Sequence, residues 1–295
     1  MLAHKLELLD EPDDGDDEIL EQIENAIKKE EIRLPAMPDI VMKIREAFKD
    51  EQYDITRIAR IIQSEAGLAA YILKIANSPL HRGPMPIKTA KHAICRLGQN
   101  SVQNIVLTYT MRSLFETKSS ELNTLLQEQW ETSTHVAAIS AVLAERFDDF
   151  DPDQAMLGGL LQDIGALPLI DWLKDNHSPG EDIVEAFARM RDSYSAKIGE
   201  MILRKWQFAP ELIEVVSSRG DWTRDSEKAI DTADIVCLAR HHYLRSNGLG
   251  HECPDINTLP AYQKLPFQEV SDSQRLVALE EAEEEIRELH EMLKC

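Results

Sequence analysis

Two acids sit where acids are costly. Asp163 lies within Gly158-Gly-Leu-Leu-Gln-Asp-Ile-Gly165 and Asp234 within Thr232-Ala-Asp-Ile-Val-Cys-Leu-Ala239, both otherwise apolar runs. A carboxylate buried alone is strongly disfavoured, so each must be hydrogen-bonded, ion-paired or metal-bound. The chain has nine histidines, and one of them, His135, falls on an Ala-rich helical stretch. The chemistry to consider is therefore a divalent metal held by imidazole and carboxylate and activating water. A hydrogen-bonded structural cluster of His135, Asp163 and Asp234 suits the same residues, and residue types alone leave both readings open. Other chemistries lack their parts. No Ser-His-Asp or Cys-His constellation is legible, and Gly158-Gly159 is too short for a phosphate-cradling loop and lacks its lysine. His241-His242, close to Arg245, read most simply as cations at a helix C-terminus, where the dipole favours them.

The elements that must position these residues read as helices throughout. Ile40, Val41, Ile44, Ala47 and Phe48 paint one helical face after Pro35 and Pro38. Asp54 offers an N-cap to Ile55–Ile62, and Leu68–Ala76 runs until Asn77-Ser-Pro79 stops it. Thr89 caps the segment holding Ala93, Ile94 and Leu97, Gly98 stands where a helix C-terminus wants a left-handed residue, and a further helix starts near Val102. Beyond the polar stretch 116–120 the helical patterns are Leu125 to Trp130, His135–Phe147, Ala155–Leu161, Ile183–Met190, Ala196–Trp206, Leu212–Ser217 and Ala229–Leu244. Segment 246–267, with Gly248, Gly250, Pro254, Pro260 and Pro266, reads as a long irregular connection. The last helix carries Leu279, Ala282, Ile286, Leu289 and Leu293 as one stripe, too short for a self-standing coiled coil and better docked on the body. No alternating strand pattern appears, so the expected class is all-α. The expected organisation is an acidic mobile tail (1–18), an N-terminal helical subdomain (19–116), a second helical subdomain (117–245), and the connection with its C-terminal helix (246–295).

Composition narrows the partners. A net charge of −21 over 295 residues repels phosphate backbones and anionic lipid heads, so nucleic acid and membranes are poor partners. The acids concentrate at the two ends, with eight against one Lys in 1–18 and nine against three bases in 269–295. Four cysteines far apart in sequence, with no CxxC pair, fit a reducing compartment and buried thiols. The longest nearly apolar run, Val136 to Ala144, is about half a bilayer span, and the first residues join no basic segment to an apolar one. A cytoplasmic protein is expected.

Over roughly residues 30 to 293 the sequence resembles the HDOD (HD-related output domain) proteins, bacterial all-α relatives of the HD metal-dependent phosphohydrolases. The resemblance rests on Leu34-Pro-Ala-Met-Pro38, Gln63-Ser-Glu-Ala-Gly-Leu68 leading into Ile75-Ala-Asn-Ser78, and Ile94-Cys-Arg-Leu-Gly98. Trp130 with His135, Gly158 to Gly165, Ile198-Gly199 with Trp206 and Pro210, and Ala233-Asp234 carry it through the second half. Each fragment is weak alone, and their order and spacing carry the resemblance. It implies that residues 19–295 form one HDOD unit.

In catalytically competent HD proteins a His, a His-Asp pair, further His residues and a final Asp hold one or two metal ions. By this resemblance His135 fits the first His, Asp163 the Asp of the pair and Asp234 the final Asp. The His of the pair is Gln162, and Ser195 and Arg219 stand where more intact relatives carry histidines. A neutral amide oxygen suits Mg²⁺ or Ca²⁺ weakly and cannot replace imidazole for Zn²⁺ or Fe²⁺, so the metal motif is degenerate. An Arg219 guanidinium pointing into the pocket would neutralise Asp163 and Asp234 together, with hydrogen bonds from His135 and Gln162. The resemblance then implies a non-enzymatic bacterial signal-transduction module with no catalytic residues and no cofactor beyond a weakly bound divalent metal. Its expected partners are signalling proteins in trans, with a small-molecule or nucleotide ligand as a further candidate. The alternatives are a residual metal-dependent phosphohydrolase acting on a nucleotide or cyclic dinucleotide, and a nucleotide sensor that binds without cleaving.

Overall fold

The computed structural model describes residues 25–27, 29, 34–49, 53–81, 83–115, 120–176, 183–226 and 229–294. The expected acidic tail, 1–18, lies outside them. Among the described residues the protein is all-α, with thirteen α-helices, three short 3₁₀ turns and a single β-bridge between Val270 and Leu276.

The first helices form where the apolar spacing requires them. α1 (Asp39–Phe48) buries Val41, Ile44, Ala47 and Phe48, and α2 (Ile55–Gln63) is capped by Asp54, which accepts from the Thr56 N–H at 2.7 Å. α3 (Ala66–Ala76) ends at Asn77, whose amide donates to Leu73 O and Ile87 O and accepts from Ile87 N–H, stitching the following loop to the helix end. Thr89 caps α4 (Ala90–Met111). The helix end expected at Gly98 is a kink instead. Gly98 adopts φ 79°, ψ 176°, a conformation open essentially to glycine, and the helix resumes directly beyond it.

The remaining helices are α5 (Ser120–Ala144), α6 (Pro152–Leu161), α7 (Ala166–Asn176), α8 (Ile183–Lys205), α9 (Pro210–Ser217), α10 (Thr232–Ser246), α11 (Pro260–Gln263), α12 (Val277–Glu280) and α13 (Glu283–Leu293). α5 and α6 lie side by side with α10 across both, α7 and α9 flank α8, and α4 bridges the first helices to α6. The C-terminal stripe docks on the body as expected, with Leu279, Ala282, Ile286, Leu289 and Leu293 buried and α13 lying against α5.

Several boundaries differ from the sequence reading. α5 and α8 are each continuous where the pattern breaks into two pieces, because polar residues within them, Thr134 and Ser195 among them, are buried rather than looped out. No helix is expected over α7, yet Leu167, Leu169, Ile170 and Leu173 bury one face there. Segment 246–267 contains two 3₁₀ turns and α11. His241 and His242 are not exposed cations. Both are buried, and desolvation lowers their pKa, that of His242 to about 3, so they are neutral at pH 7. Cys253 is buried, whereas Cys95 is exposed.

One close approach sets the geometry of the site. A Cβ on Gly165 would overlap the Ser195 carbonyl oxygen and lie 2.6 Å from Gly199 N, so only glycine lets the turn before α7 rest on α8. That contact brings Asp163 to Ser195. Gly165→Ala must therefore push the two backbones apart. The expected cost is at least about 1–3 kcal/mol, read as a lower urea midpoint at unchanged m-value.

Candidate functional site

Asp163 follows the C-terminus of α6, where the chain turns toward α7, and is buried. Arg219, just past the end of α9, lies against it with Nε 2.7 Å from Oδ1 and Nη2 3.2 Å from Oδ2. The Nε contact is close but off the hydrogen-bond axis, so it is chiefly electrostatic, while Nη2 supplies the aligned bond. Ser195 Oγ, from α8, donates to Asp163 Oδ1 at 3.2 Å, and Arg219 Nη1 reaches outward to Asp192 Oδ1 at 2.7 Å. Burial alone would raise the Asp163 pKa. The positive charges of Arg219, Arg191 and Arg240 more than offset it and hold the carboxyl below its usual range. Burial likewise works against the Arg219 cation, and Asp163 and Asp192 reverse that, so its pKa is raised.

Asp234 belongs to a separate cluster. Its surroundings are local first: α10 starts at Thr232, so Asp234 is the third residue of the helix, not its middle. Asp231 Oδ1 accepts from the Asp234 N–H at 3.0 Å and Asp234 Oδ2 accepts from the Asp231 N–H at 3.1 Å, a reciprocal capping box. Arg224 Nη1 and Lys264 Nζ then approach the two Asp234 oxygens at 3.0 and 3.2 Å. Burial and the neighbouring Asp231 charge still leave its pKa raised. The expectation that Arg219 would neutralise both acids is therefore corrected: Arg219 serves Asp163 and Asp192, and Arg224 with Lys264 serves Asp234. Helix geometry separates the two carboxylates, since one follows α6 and the other caps α10.

His135 stands apart from both. Its ring stacks on His290 of α13, with centroids 4.3 Å apart and an interplanar angle of 14°, and meets Tyr243 edge-on at 5.2 Å. The hydrogen bonds expected from His135 and Gln162 to the buried carboxylates do not form. The His135 imidazole is in the seam that docks the C-terminal helix, and Gln162 Nε2 has no hydrogen-bond partner among the described residues. Burial, with His290 close by, lowers the His135 pKa to about 4.

These residues do not fit a divalent metal. Asp163 is saturated by a guanidinium and a hydroxyl, Asp234 by two cations and a backbone N–H, and His135 stacks on His290. Among the described residues no three His, Cys, Asp or Glu side chains come together as a metal-binding group. No helix among them is long and apolar enough to cross a membrane.

The residues missed in the sequence are the counter-charges: Asp192, Arg224, Asp231, Arg240 and Lys264. Asp231-Thr-Ala-Asp234 carries the spacing of a capping box and was legible as such. The others come from separate elements and had no local signal.

The sequence profile of the HDOD domain matches residues 34–221. The chain belongs to the HDOD family. Solved structures of similar fold include a candidate metal-dependent phosphohydrolase from Shewanella amazonensis, 22% identical, with a TM-score of 0.78 and coverage of 94% of this chain and 99% of that one. An HDOD domain protein of unknown function from Geobacter sulfurreducens is 20% identical, with a TM-score of 0.63 and coverage of 93% and 97%. A candidate signal transduction protein from Marinobacter aquaeolei is 16% identical, with a TM-score of 0.57 and coverage of 96% and 67%. At these identities the likeness establishes the fold. No curated protein matches. In this HDOD protein Asp163 is ion-paired with Arg219, and Asp234 with Arg224 and Lys264.

The charge geometry and the His135 stack make three outcomes measurable. Arg219→Met strands the buried Asp163 carboxylate and is expected to cost about 3–5 kcal/mol, whereas Asp163→Leu combined with Arg219→Met restores most of the loss in a denaturation double-mutant cycle. Because the folded pKa of Asp163 is depressed, its contribution is full above the unfolded value near 3.8 and fades as pH falls below it. The double variant should lose that part of the acid slope. His135, also depressed, contributes stability above the unfolded value of 6.5 that is lost as pH falls toward about 4. Amide exchange in α13 should accelerate across that window, and His135→Phe should flatten the response.

Proposed function

We propose that this HDOD protein is a non-enzymatic signal-transduction module that acts by binding another protein. The observation that carries the reading is the Asp163–Arg219 ion pair, with a guanidinium 2.7 Å from the carboxylate that would otherwise hold a catalytic cation. Phosphoester hydrolysis in the HD manner needs a metal to lower the pKa of the attacking water, and a fixed positive charge at the ligand repels that metal. Gln162, beside it, offers an amide in place of imidazole. None of the three clusters pairs an activated nucleophile with a general base.

The family assignment supports the reading at the coarse level, since the relatives include a candidate signal transduction protein. They also include a candidate metal-dependent phosphohydrolase, which makes residual hydrolysis the alternative to test. With bis(p-nitrophenyl) phosphate and a cyclic dinucleotide as substrates, and Mn²⁺ or Mg²⁺ supplied, the purified chain is expected to show no turnover above the metal-only background. Metal-dependent turnover that disappears in Asp163→Asn would overturn the proposal. On the positive side, a signalling protein recovered with this chain should rebind it saturably as a purified pair, without added nucleotide.

A further inference from the structure

The cluster at Asp163 leaves one guanidinium uncompensated. Arg240, on α10, lines with Gln162, Arg219, Gly220 and Trp222 a cavity of about 20 Å³. That volume suits one water-sized or monatomic occupant and is too small for a phosphate or a nucleotide. Gln162 is only 2% exposed and its Nε2 has no hydrogen-bond partner among the described residues. The buried Nη1 of Arg240 has none either. Both groups are N–H donors without acceptor capacity, and an acceptor in the cavity they line would satisfy them.

The charges around the cavity set the nature of that acceptor. Arg219 is committed to Asp163 through Nε and Nη2 and to Asp192 through Nη1. Arg191 contacts Asp192 and lies 3.9 Å from Glu252. Among the described residues no carboxylate lies within ion-pair distance of Arg240, although Asp163 and Asp192 act on it from farther away. Asp221 also lines the cavity, but its Oδ1 accepts from the Thr223 N–H and O–H. The compensation Arg240 does have is the face of Trp222, 5.0 Å from its Cζ, a contact worth far less than a buried ion pair. Burial and the neighbouring Arg219 lower the Arg240 pKa to about 10, which still leaves it charged at neutral pH.

We propose that the cavity between Gln162 and Arg240 is a binding site for a small monovalent anion, chloride in the first place, held by the Gln162 Nε2–H and Arg240 Nη1–H donors. A place that the HD motif reserves for a cation has thereby changed sign. The anion completes the charge balance of the buried cluster and couples α10 to the end of α6. The proposal concerns binding alone and stands whether or not the protein hydrolyses phosphoesters.

The test follows thermal unfolding of the full chain at constant ionic strength while sodium chloride replaces sodium gluconate, whose anion is too large for the cavity. A saturable rise in midpoint is expected, roughly 3 °C between no chloride and ten times the dissociation constant. ³⁵Cl line broadening should titrate in parallel and be reversed by bromide. Gln162→Glu places a carboxylate opposite Arg240. It should keep the fold, abolish the chloride response and unfold without chloride near the midpoint of the chloride-saturated parent. Because Arg240→Met could fail to fold, crystals of the parent soaked in bromide supply a second readout, with an anomalous peak expected between Gln162 and Arg240. A midpoint that changes equally in parent and Gln162→Glu, or a soaked crystal with a water and no anomalous signal at that position, would overturn the proposal.

Discussion

A carboxylate removed from water must be given a partner, and in this protein that requirement organises the helical body around Asp163. Its partner, Arg219, comes from the end of α9, 56 residues away in the chain, and Ser195 adds a hydrogen bond from α8. Three elements are tied through one side chain. The cost of desolvating two charges is offset only where both are well matched, and here Arg219 also extends to the surface through Asp192. The same cluster binds α6, α8 and α9 into a fixed arrangement, which Gly165 permits by letting the α7 turn rest directly on α8.

The arrangement at Asp234 obeys the same rule by a different route. There the backbone supplies part of the answer, since the capping box satisfies two N–H groups at the start of α10, and Arg224 and Lys264 supply the charge. Asp163 and Asp234 sit in two ion clusters with different partners, and His135 lies in an aromatic stack beneath the C-terminal helix. Each joins residues of different elements.

Among the described residues Asp163, Arg219 and Asp234 each have an opposite charge within ion-pair distance, and Arg240 does not. The Arg240 guanidinium and the Gln162 amide line the same small cavity.

Helix content, the caps at Asp54 and Thr89, and the docking of the Leu279–Leu293 stripe were legible in the sequence, because they depend on local spacing and on residues within a few positions of one another. Helix continuity through α5 and α8, and the existence of α7, were not, since burial of residues such as Thr134, Ser195 and Leu169 is decided by neighbours distant in sequence. Which cation meets which carboxylate was decided by the tertiary structure alone. Sequence showed that Asp163 and Asp234 each needed a hydrogen-bonding, charged or metal partner. Only the packing of α9 against α8, and of α11 against α10, determined that Arg219 would serve one and that Arg224 and Lys264 would serve the other, because an ion pair depends on distance in space.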